Sequence, residues 1–293
     1  MININCKTRI AILLGVYNGE KYIAEQLDSL LGQSYKNWTL YIRDDASVDK
    51  TREIITAYSL QHKEIVIVSD DDGNLGCNGN YFRLLSIVSS EYYMFCNADD
   101  YWYPFKIEIC FNRMLLEESN SRDIPIIVHT DLAIADQYLN IVSESYWISV
   151  NTNPEKYKTY GKLGICSDIA GATMLFNRKV RDLTFPVSKY APFFDHWIAL
   201  KVVRSGHIAT VHIPTIAYRQ IGTNLSAVSI GHENSILAKI LGIRKVISNN
   251  IVEAKMLKNI EWGGYVKYLF YKTVVLIMLR LGGRYKDERQ KYL

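Results

Sequence analysis

Residues 92–104 read Tyr-Tyr-Met-Phe-Cys-Asn-Ala-Asp-Asp-Tyr-Trp-Tyr-Pro, a short apolar run followed by an acidic turn. The run ends at Cys96 and a polar break follows, which predicts a buried strand. Asp99 and Asp100 then stand at the carboxyl end of that strand, where open parallel sheets bind their ligands. Adjacent carboxylates repel each other, and a divalent cation is the usual way to offset that repulsion. The same residues also allow a solvated turn, or a helix N-cap at Asp100.

Three earlier strands of the same kind alternate with helices. Apolar runs predict strands at 9–16, 38–42, 65–68 and 92–96. Helical spacing predicts helices between them at 22–31, 50–58 and 80–88. This alternation predicts an α/β fold with a mixed, mainly parallel sheet flanked by helices.

The second half of the chain is less regular. Its apolar runs predict further strands at 124–129, 169–176 and 207–212. A hairpin is predicted at 133–142, and an amphipathic helix at 194–205. Gly171 and Ala172 are small, which favours close approach of a ligand to the backbone there.

Positive charge is concentrated at the end of the chain. The net charge is +4, yet residues 1–233 contain 22 Lys/Arg and 26 Asp/Glu, whereas residues 234–293 contain 12 and 4. This shift marks a boundary between a slightly acidic globular part and a basic tail. An acidic globular part without a recognition motif argues against nucleic-acid binding.

The cysteines and the apolar segments indicate a cytoplasmic location. The five cysteines are scattered without paired spacing, and no signal peptide precedes them, so we expect reduced thiols and no zinc site. The longest apolar stretch in the tail, 265–281, is interrupted by Lys267 and Lys272, and a membrane-spanning helix is therefore not predicted.

The ends of the first two strands carry polar groups but no standard phosphate loop. Gly15-Val-Tyr-Asn-Gly19 lacks the third glycine of the dinucleotide fingerprint, and no Gly-Lys-Ser/Thr follows it. After the second strand, Asp44 and Asp45 are suited to accept hydrogen bonds from a pyrimidine imide or a ribose hydroxyl. Both acids are equally suited to capping the next helix.

Several segments carry a more specific signal. They are 11–35 (beginning Ala-Ile-Leu-Leu-Gly-Val-Tyr-Asn-Gly-Glu), 43–51 (Arg-Asp-Asp-Ala-Ser-Val-Asp-Lys-Thr), 97–102 (Asn-Ala-Asp-Asp-Tyr-Trp), 194–200 (Phe-Asp-His-Trp-Ile-Ala-Leu) and 218–224 (Tyr-Arg-Gln-Ile-Gly-Thr-Asn). In this order they closely resemble family 2 glycosyltransferases, nucleotide-sugar enzymes of the GT-A fold, over roughly residues 9 to 228. The last two segments look most like those of bacterial rhamnosyltransferases acting on cell-surface polysaccharides.

The resemblance implies a role for each matching residue. Asp195, which by itself also reads as an N-cap or surface acid, would be the base that deprotonates the acceptor hydroxyl. Asp99, together with Asp100, would hold Mg²⁺ or Mn²⁺ bridging the donor diphosphate. The donor nucleotide would be bound by Val16, Tyr17, Asn18, Glu20, Asp44, Asp45, Asn97, Ala98 and Arg219. In that set, Tyr17 and Asp45 would contact the base and ribose, and Arg219 the diphosphate. One base without a second nucleophilic carboxylate implies a single displacement with inversion at the anomeric carbon.

The resemblance also implies an architecture and a substrate class. A GT-A catalytic domain would span 1–231, with a nucleotide-sugar half at about 1–104 and an acceptor half at about 105–231, before a basic amphipathic helical tail at 232–293. The expected donor is dTDP-rhamnose, and the expected acceptor is a surface polysaccharide or a lipid-linked saccharide.

Two alternatives stay open. The first is the same fold with a UDP-hexose donor. The second is a sugar-nucleotide-binding assembly protein without turnover, because Asn97 stands where the family usually has Asp and lowers the charge available to a cation. Ile221 also stands where relatives often carry His, which weakens inference about the acceptor side.

The tail has two interpretations. Aromatic and aliphatic residues mixed with Lys and Arg are typical of an interfacial helix, which would contact the inner face of the plasma membrane. A helix that packs on the catalytic domain, or on a second copy of the chain in a homodimer, fits the same pattern.

Overall fold

The computed structural model describes residues 10–121, 123–164, 169–191, 193–221, 254–255, 257–258 and 263–281. Within them, the strands are β1 (Ile10–Val16), β2 (Trp38–Asp44), β3 (Ile65–Val68), β4 (Tyr92–Cys96), β5 (Tyr101–Trp102), β6 (Ile126–Ala135), β7 (Ile141–Ser143), β8 (Met174–Asn177) and β9 (His207–Arg219). The helices are α1 (Ile23–Leu31), α2 (Thr51–Gln61), α3 (Gly76–Ile87), α4 (Lys106–Asn120), α5 (Tyr146–Ser149), α6 (Pro154–Tyr157), α7 (Tyr160–Leu163), α8 (Arg178–Thr184), α9 (Phe194–Ser205) and α10 (Tyr265–Leu281).

The strands form one mixed sheet, and the directions of the strands bring the candidate segments to one edge of it. Its order is β3-β2-β1-β4-β8-β6-β9-β5, with β7 paired to β6. Strands β1 to β4 are parallel, so their carboxyl ends lie together. Strand β8 runs antiparallel to β4 and β6, and β9 runs parallel to β6. The start of β8 and the end of β9 therefore reach the same edge as the ends of β1, β2 and β4.

Both faces of the sheet are buried, which explains the continuous apolar runs of the first strands. In β1, Ile10, Ile12 and Leu14 face one core, and Ala11 and Leu13 face the other. Helices α1, α2 and α4 cover the first face, and α3 and α9 cover the second. A strand covered on both sides needs apolar residues at every position rather than at every second one.

The predicted elements of the first hundred residues are confirmed, with shifts at their ends. Helix α3 begins at Gly76, four residues before its predicted start. Helix α4 was not predicted, although Ile107, Cys110 and Met114 have helical spacing and are all buried. The sequence analysis interpreted the acidic turn before this segment and made no prediction for the segment itself.

Two predictions for the second half need correction. The predicted strand 169–176 is in part a 3₁₀ turn at Gly171–Thr173, followed by the short strand β8. Strand β9 extends beyond 212 to Arg219, because register shifts near Asp131 let it continue along β6. The hairpin is confirmed, since β6 and β7 flank a turn in which Asp136 accepts two backbone hydrogen bonds.

The described part of the tail lies against the rest of the structure through one side of α10. The Tyr268 side chain is fully buried, and a Cβ added at Gly161 would come within 2.5 Å of the Tyr271 ring. Val266 and Phe270, on the other side of α10, are exposed. Within the described ranges, no helix is both long and apolar enough to cross a membrane. The prediction of helix for residues 232–253 lies outside the described residues.

Candidate active site

The loops after β1 and β2 are joined by side-chain hydrogen bonds. The Asn18 amide nitrogen donates to Ser47 Oγ over 2.9 Å, and the Val48 amide donates to Asn18 Oδ1 over 2.9 Å. Glu20 accepts from the Lys50 amide over 2.9 Å. Asn18 and Glu20, both predicted to bind the donor, therefore hold the two loops together. Between them the loops leave the Tyr17 side chain 54% exposed at the edge of the sheet.

The two acids after β2 differ in what their carboxylates contact. Asp45 is 2% exposed, and it accepts from Arg43 at 2.6 Å and from the backbone amides of Leu75 and Gly76 at 2.8 Å each. Asp44 accepts from the Ser47 amide at 3.2 Å through Oδ1, whereas its buried Oδ2 has no hydrogen-bond partner in the described part of the chain. A buried acceptor without a donor is costly, so Asp44 is the better placed of the two to accept from a ligand.

Arg43, which sequence analysis did not single out, joins the end of β2 to the loop between β3 and α3. Its guanidinium forms three hydrogen bonds to Asp70, at 2.9, 3.0 and 3.2 Å, and others to Asp45 and to the Gly73 carbonyl oxygen. These contacts hold the loop between β3 and α3 against the end of β2. Hydrogen bonding to Arg43 is the main cause that lowers the pKa of Asp70 well below its usual range.

Replacing Arg43 by Met is expected to lower the free energy of unfolding by about 3–5 kcal/mol, because Asp45 and Asp70 would lose their shared cation. Arg43 is 2% exposed, so water cannot take its place without rearrangement. Urea unfolding followed by circular dichroism measures the change. Lys179→Met, which removes a bridge to the exposed Asp123, is the control and should change stability little. If Arg43→Met lowers the free energy of unfolding by less than about 1 kcal/mol, other contacts hold the loop between β3 and α3 against β2.

The acidic turn after β4 is desolvated. Asp100 is fully buried, and Asp99 is partly buried beside it. Burial, and then the charge of Asp99, raises the pKa of Asp100; burial also raises the pKa of Asp99. Two adjacent carboxylates in such a place favour either a shared proton or a bound cation.

Asn97, Ala98 and Arg219 also belong to this turn. Asn97 Nδ2 donates to Asp100 Oδ2 over 2.9 Å, and Ala98 packs against the core of the sheet. The buried Arg219 donates to the carbonyl oxygens of Asp99, at 2.9 Å, and Gln137, at 2.7 Å, and pairs with Glu25. Arg219 thus fastens the turn to the end of β9 and to the hairpin, rather than pointing into open space.

A second cation lies beneath the turn. Lys106, at the start of α4, is fully buried with its Nζ 3.3 Å from Thr215 Oγ1 and 4.6 Å from the centre of the Trp102 ring. Its charge acts on Asp100 from below, and burial lowers the pKa of Lys106. Sequence analysis did not single out Lys106, because it made no prediction for this segment and Lys is rarely fully buried.

The turn suits a divalent cation only together with a ligand that supplies further oxygens. Among residues whose positions the structure gives, no three His, Cys, Asp or Glu side chains are grouped to hold a metal ion by themselves. Mg²⁺ in phosphate-binding sites typically takes one or two carboxylates and completes its shell with phosphate oxygens and water. Asp99 and Asp100 could supply those carboxylates, and Asp99 is the part-exposed residue of the two whereas Asp100 is buried.

Asp195 stands in the first turn of α9, across the same edge from the acidic turn. Its Oδ2 accepts from the Gly171 amide at 3.0 Å and its Oδ1 from the His196 amide at 2.7 Å. Burial raises the pKa of Asp195, while these two hydrogen bonds oppose the shift. A carboxylate held in this way is fixed in orientation and more basic than a solvated one, as a general base requires.

The small residue at 171 is explained by packing. A Cβ added to Gly171 would lie 2.6 Å from ring atoms of Phe194, so the close approach of that ring already requires glycine here. The same packing brings the Gly171 amide to Asp195.

The start of α3 connects the donor-side acids to Asp195. The charges of Asp195, Asp45 and Asp99 all act on the Cys77 thiol, and after burial they are the causes that raise its pKa to about 11. Asn78, the next residue, accepts from the Phe194 amide at 3.0 Å through its side chain. The start of α3 therefore bonds to Asp45 through the Gly76 amide and to the residue before Asp195 through Asn78.

Comparison with known proteins identifies the family of the chain. The model of glycosyl transferase family 2 matches residues 11–183. Relatives include EpsE of Bacillus subtilis, 31% identical over 36% of this chain and 37% of its own, and the dTDP-rhamnosyl transferase RfbG of Shigella flexneri, 30% identical over 40% and 42%. The Escherichia coli UDP-Glc:alpha-D-GlcNAc-diphosphoundecaprenol beta-1,3-glucosyltransferase WfgD is 24% identical over 74% of this chain and 79% of its own. The chain thus spans well under half of the length of several relatives.

Solved structures share the fold at low identity. The mannosyltransferase PcManGT of Pyrobaculum calidifontis, solved with GDP-Man and Mn²⁺, covers 94% of this chain and 72% of its own at a TM-score of 0.56 and 12% identity. TarS of S. aureus in complex with UDP-GlcNAc covers 85% and 72% at a TM-score of 0.53 and 14% identity. From its family match over more than half of its length and its GT-A architecture, this chain belongs to glycosyl transferase family 2.

Proposed function

We propose that the chain is an inverting, metal-dependent glycosyltransferase that moves a sugar from a nucleotide donor to a saccharide acceptor. The observation that carries the proposal is that α3 contacts three parts of the edge: the Gly76 amide donates to Asp45, the Tyr81 hydroxyl donates to Asn97 of the acidic turn, and Asn78 accepts from the amide of Phe194, next to Asp195. Transfer needs charge stabilisation at the leaving diphosphate and a base at the acceptor hydroxyl. The site offers a candidate for each.

In this proposal, Asp195 removes the proton from the acceptor hydroxyl as its oxygen attacks the anomeric carbon. The bond from that carbon to the diphosphate breaks, and its electron pair leaves with the diphosphate. Attack from the face opposite the leaving group inverts the configuration. The Gly171 and His196 amides keep the Asp195 carboxylate aimed during this step.

The remaining residues at this edge of the sheet would bind the donor. Tyr17 presents an exposed ring to the base, and Asp44 Oδ2 accepts from an imide or a ribose hydroxyl. Mg²⁺ or Mn²⁺, when bound at Asp99 with the Asp100 turn behind it, would neutralise charge on the diphosphate. Asp45 and Arg219 support the site from below, because their polar atoms already bond to Arg43, to backbone amides, to backbone carbonyl oxygens and to Glu25.

The donor we favour is dTDP-rhamnose, which the similarity to RfbG supports. A UDP-hexose is the second candidate, because the match to WfgD extends over 79% of a protein named for UDP-Glc. The acceptor would be a surface polysaccharide or a lipid-linked saccharide.

The proposed organisation is a catalytic domain at 1–231 followed by the tail at 232–293. In the tail, α10 exposes Val266 and Phe270 while carrying Lys267, which suits peripheral contact with an anionic membrane at the cytoplasmic face. Pairing of the same apolar side with a second copy in a homodimer is the alternative. Sedimentation with anionic vesicles, compared with sedimentation velocity of the protein alone, separates the two.

Calorimetric titration with a panel of nucleotide sugars, with and without Mn²⁺, tests the function. We expect Mn²⁺-dependent binding of dTDP-rhamnose, with UDP-glucose and GDP-mannose as the comparison donors. Preference for UDP-glucose would change the proposed donor but would leave the proposed reaction unchanged. Binding of no donor would contradict the proposed enzyme, whereas binding of a donor without transfer to any saccharide would favour the sugar-nucleotide-binding assembly protein.

A further inference from the structure

Tyr81 and Asn97 form a neutral connection between α3 and the acidic turn. Tyr81 is 3% exposed, and its hydroxyl oxygen lies 2.9 Å from the Cys96 carbonyl oxygen and 3.0 Å from Asn97 Oδ1. The other end of the Asn97 amide donates to Asp100 Oδ2 over 2.9 Å. A continuous path of hydrogen bonds thus runs from the helix to the buried carboxylate.

The chemistry of this path explains an amide at position 97. An amide accepts at one end and donates at the other, so it fits between a hydroxyl donor and a carboxylate. A carboxylate at 97 has no proton to donate to Asp100 and adds a third negative charge beside a desolvated pair. Asn97 therefore fixes Asp100 without adding charge, and Asp99 stays the carboxylate at the surface.

The ring of Tyr81 reaches the other half of the site. Its centroid lies 4.3 Å from that of Phe194, the residue before Asp195. Asn78, three residues earlier on the same helix, accepts from the Phe194 amide at 3.0 Å. One face of α3 therefore touches both the acidic turn and the segment that carries the base.

We propose that Tyr81 and Asn97 are positioning residues of the donor site, which hold Asp100 through neutral hydrogen bonds so that Asp99 is the single surface carboxylate offered to the cation of a diphosphate donor. The inference rests on the proposed function, because a diphosphate supplies the remaining oxygens that the cation needs. It goes beyond that function in assigning a positioning role to two uncharged side chains.

The test measures Mn²⁺ binding by electron paramagnetic resonance in the presence of dTDP and, separately, UDP. Tyr81→Phe and Asn97→Asp are each expected to weaken nucleotide-dependent Mn²⁺ binding by about tenfold to a hundredfold. This is the usual effect of replacing a residue that orients a metal ligand without binding the metal itself. The matched control is Tyr93→Phe. Tyr93 is 1% exposed, and its hydroxyl accepts from the Ser90 amide at 2.8 Å, near the opposite end of β4. This control should melt like Tyr81→Phe but bind Mn²⁺ like the unchanged protein.

The outcomes separate this inference from the proposed function. If the unchanged protein binds no Mn²⁺ with either nucleotide, the proposed function is wrong. If it does bind, and Tyr81→Phe binds equally well or Asn97→Asp binds more tightly, the positioning role is wrong. An equal loss in Tyr81→Phe and Tyr93→Phe would also overturn it, because the effect would then come from general destabilisation.

Discussion

Replacing Asp195 by Asn is expected to reduce kcat by about a hundredfold to ten-thousandfold, the range that a general base contributes. The amide keeps one oxygen to accept from the Gly171 or His196 amide, so the side chain stays near its place. It cannot take a proton from the acceptor hydroxyl. Donor affinity should change little, because the diphosphate and the nucleotide are bound by other elements.

Initial rates and donor calorimetry on the same preparation check this prediction. Asp182→Asn is the control, because that acid is exposed on α8 and pairs only with the neighbouring Arg181 among its described contacts. Melting temperatures of both variants show whether the fold is kept. Turnover by Asp195→Asn within a few-fold of the unchanged protein would assign the base to another residue.

Replacing Asp99 by Asn is expected to remove the effect of Mn²⁺ on donor binding. Replacing a residue that only orients a metal ligand lowers metal affinity by about tenfold to a hundredfold. Replacing the proposed ligand itself should therefore lower Mn²⁺ affinity by at least about a hundredfold. The change also removes one of two adjacent carboxylates, so the protein without metal should be as stable as before or more stable.

Calorimetric titration of dTDP and UDP over a range of Mn²⁺ concentrations measures the effect. Asp123→Asn is the control, since Asp123 is exposed and pairs with Lys179 far from the turn. Thermal melting without metal tests the second half of the prediction. Unchanged Mn²⁺ dependence in Asp99→Asn would place the cation elsewhere and would leave Asp99 as a structural acid.

Much of the site was predictable from local patterns. Continuous apolar runs identified β1 to β4, and the direction of parallel strands then implied that Asp44 and Asp99 share an edge. The spacing of Ile107, Cys110 and Met114 contained α4 as well, although the prediction did not use it. These features depend on side-chain periods of two or 3.6 residues, which are properties of the sequence alone.

The tertiary structure decided which polar atoms of those residues stay open. Asp45 and Arg219 read as ligand-binding groups, yet Asp45 bonds to Arg43 and the start of α3, and Arg219 bonds to a carbonyl oxygen 120 positions away. Which partner a buried charge finds depends on how distant elements cross, and no local period encodes that. Burial makes an unpaired polar group costly, so the nearest partner that the fold supplies takes it. The chain by itself thus determined where the acids gather, and the packing of α3 and β9 determined that Asp45 and Arg219 are bonded to other parts of the protein, whereas Asp44 keeps a buried oxygen without a partner among the described residues.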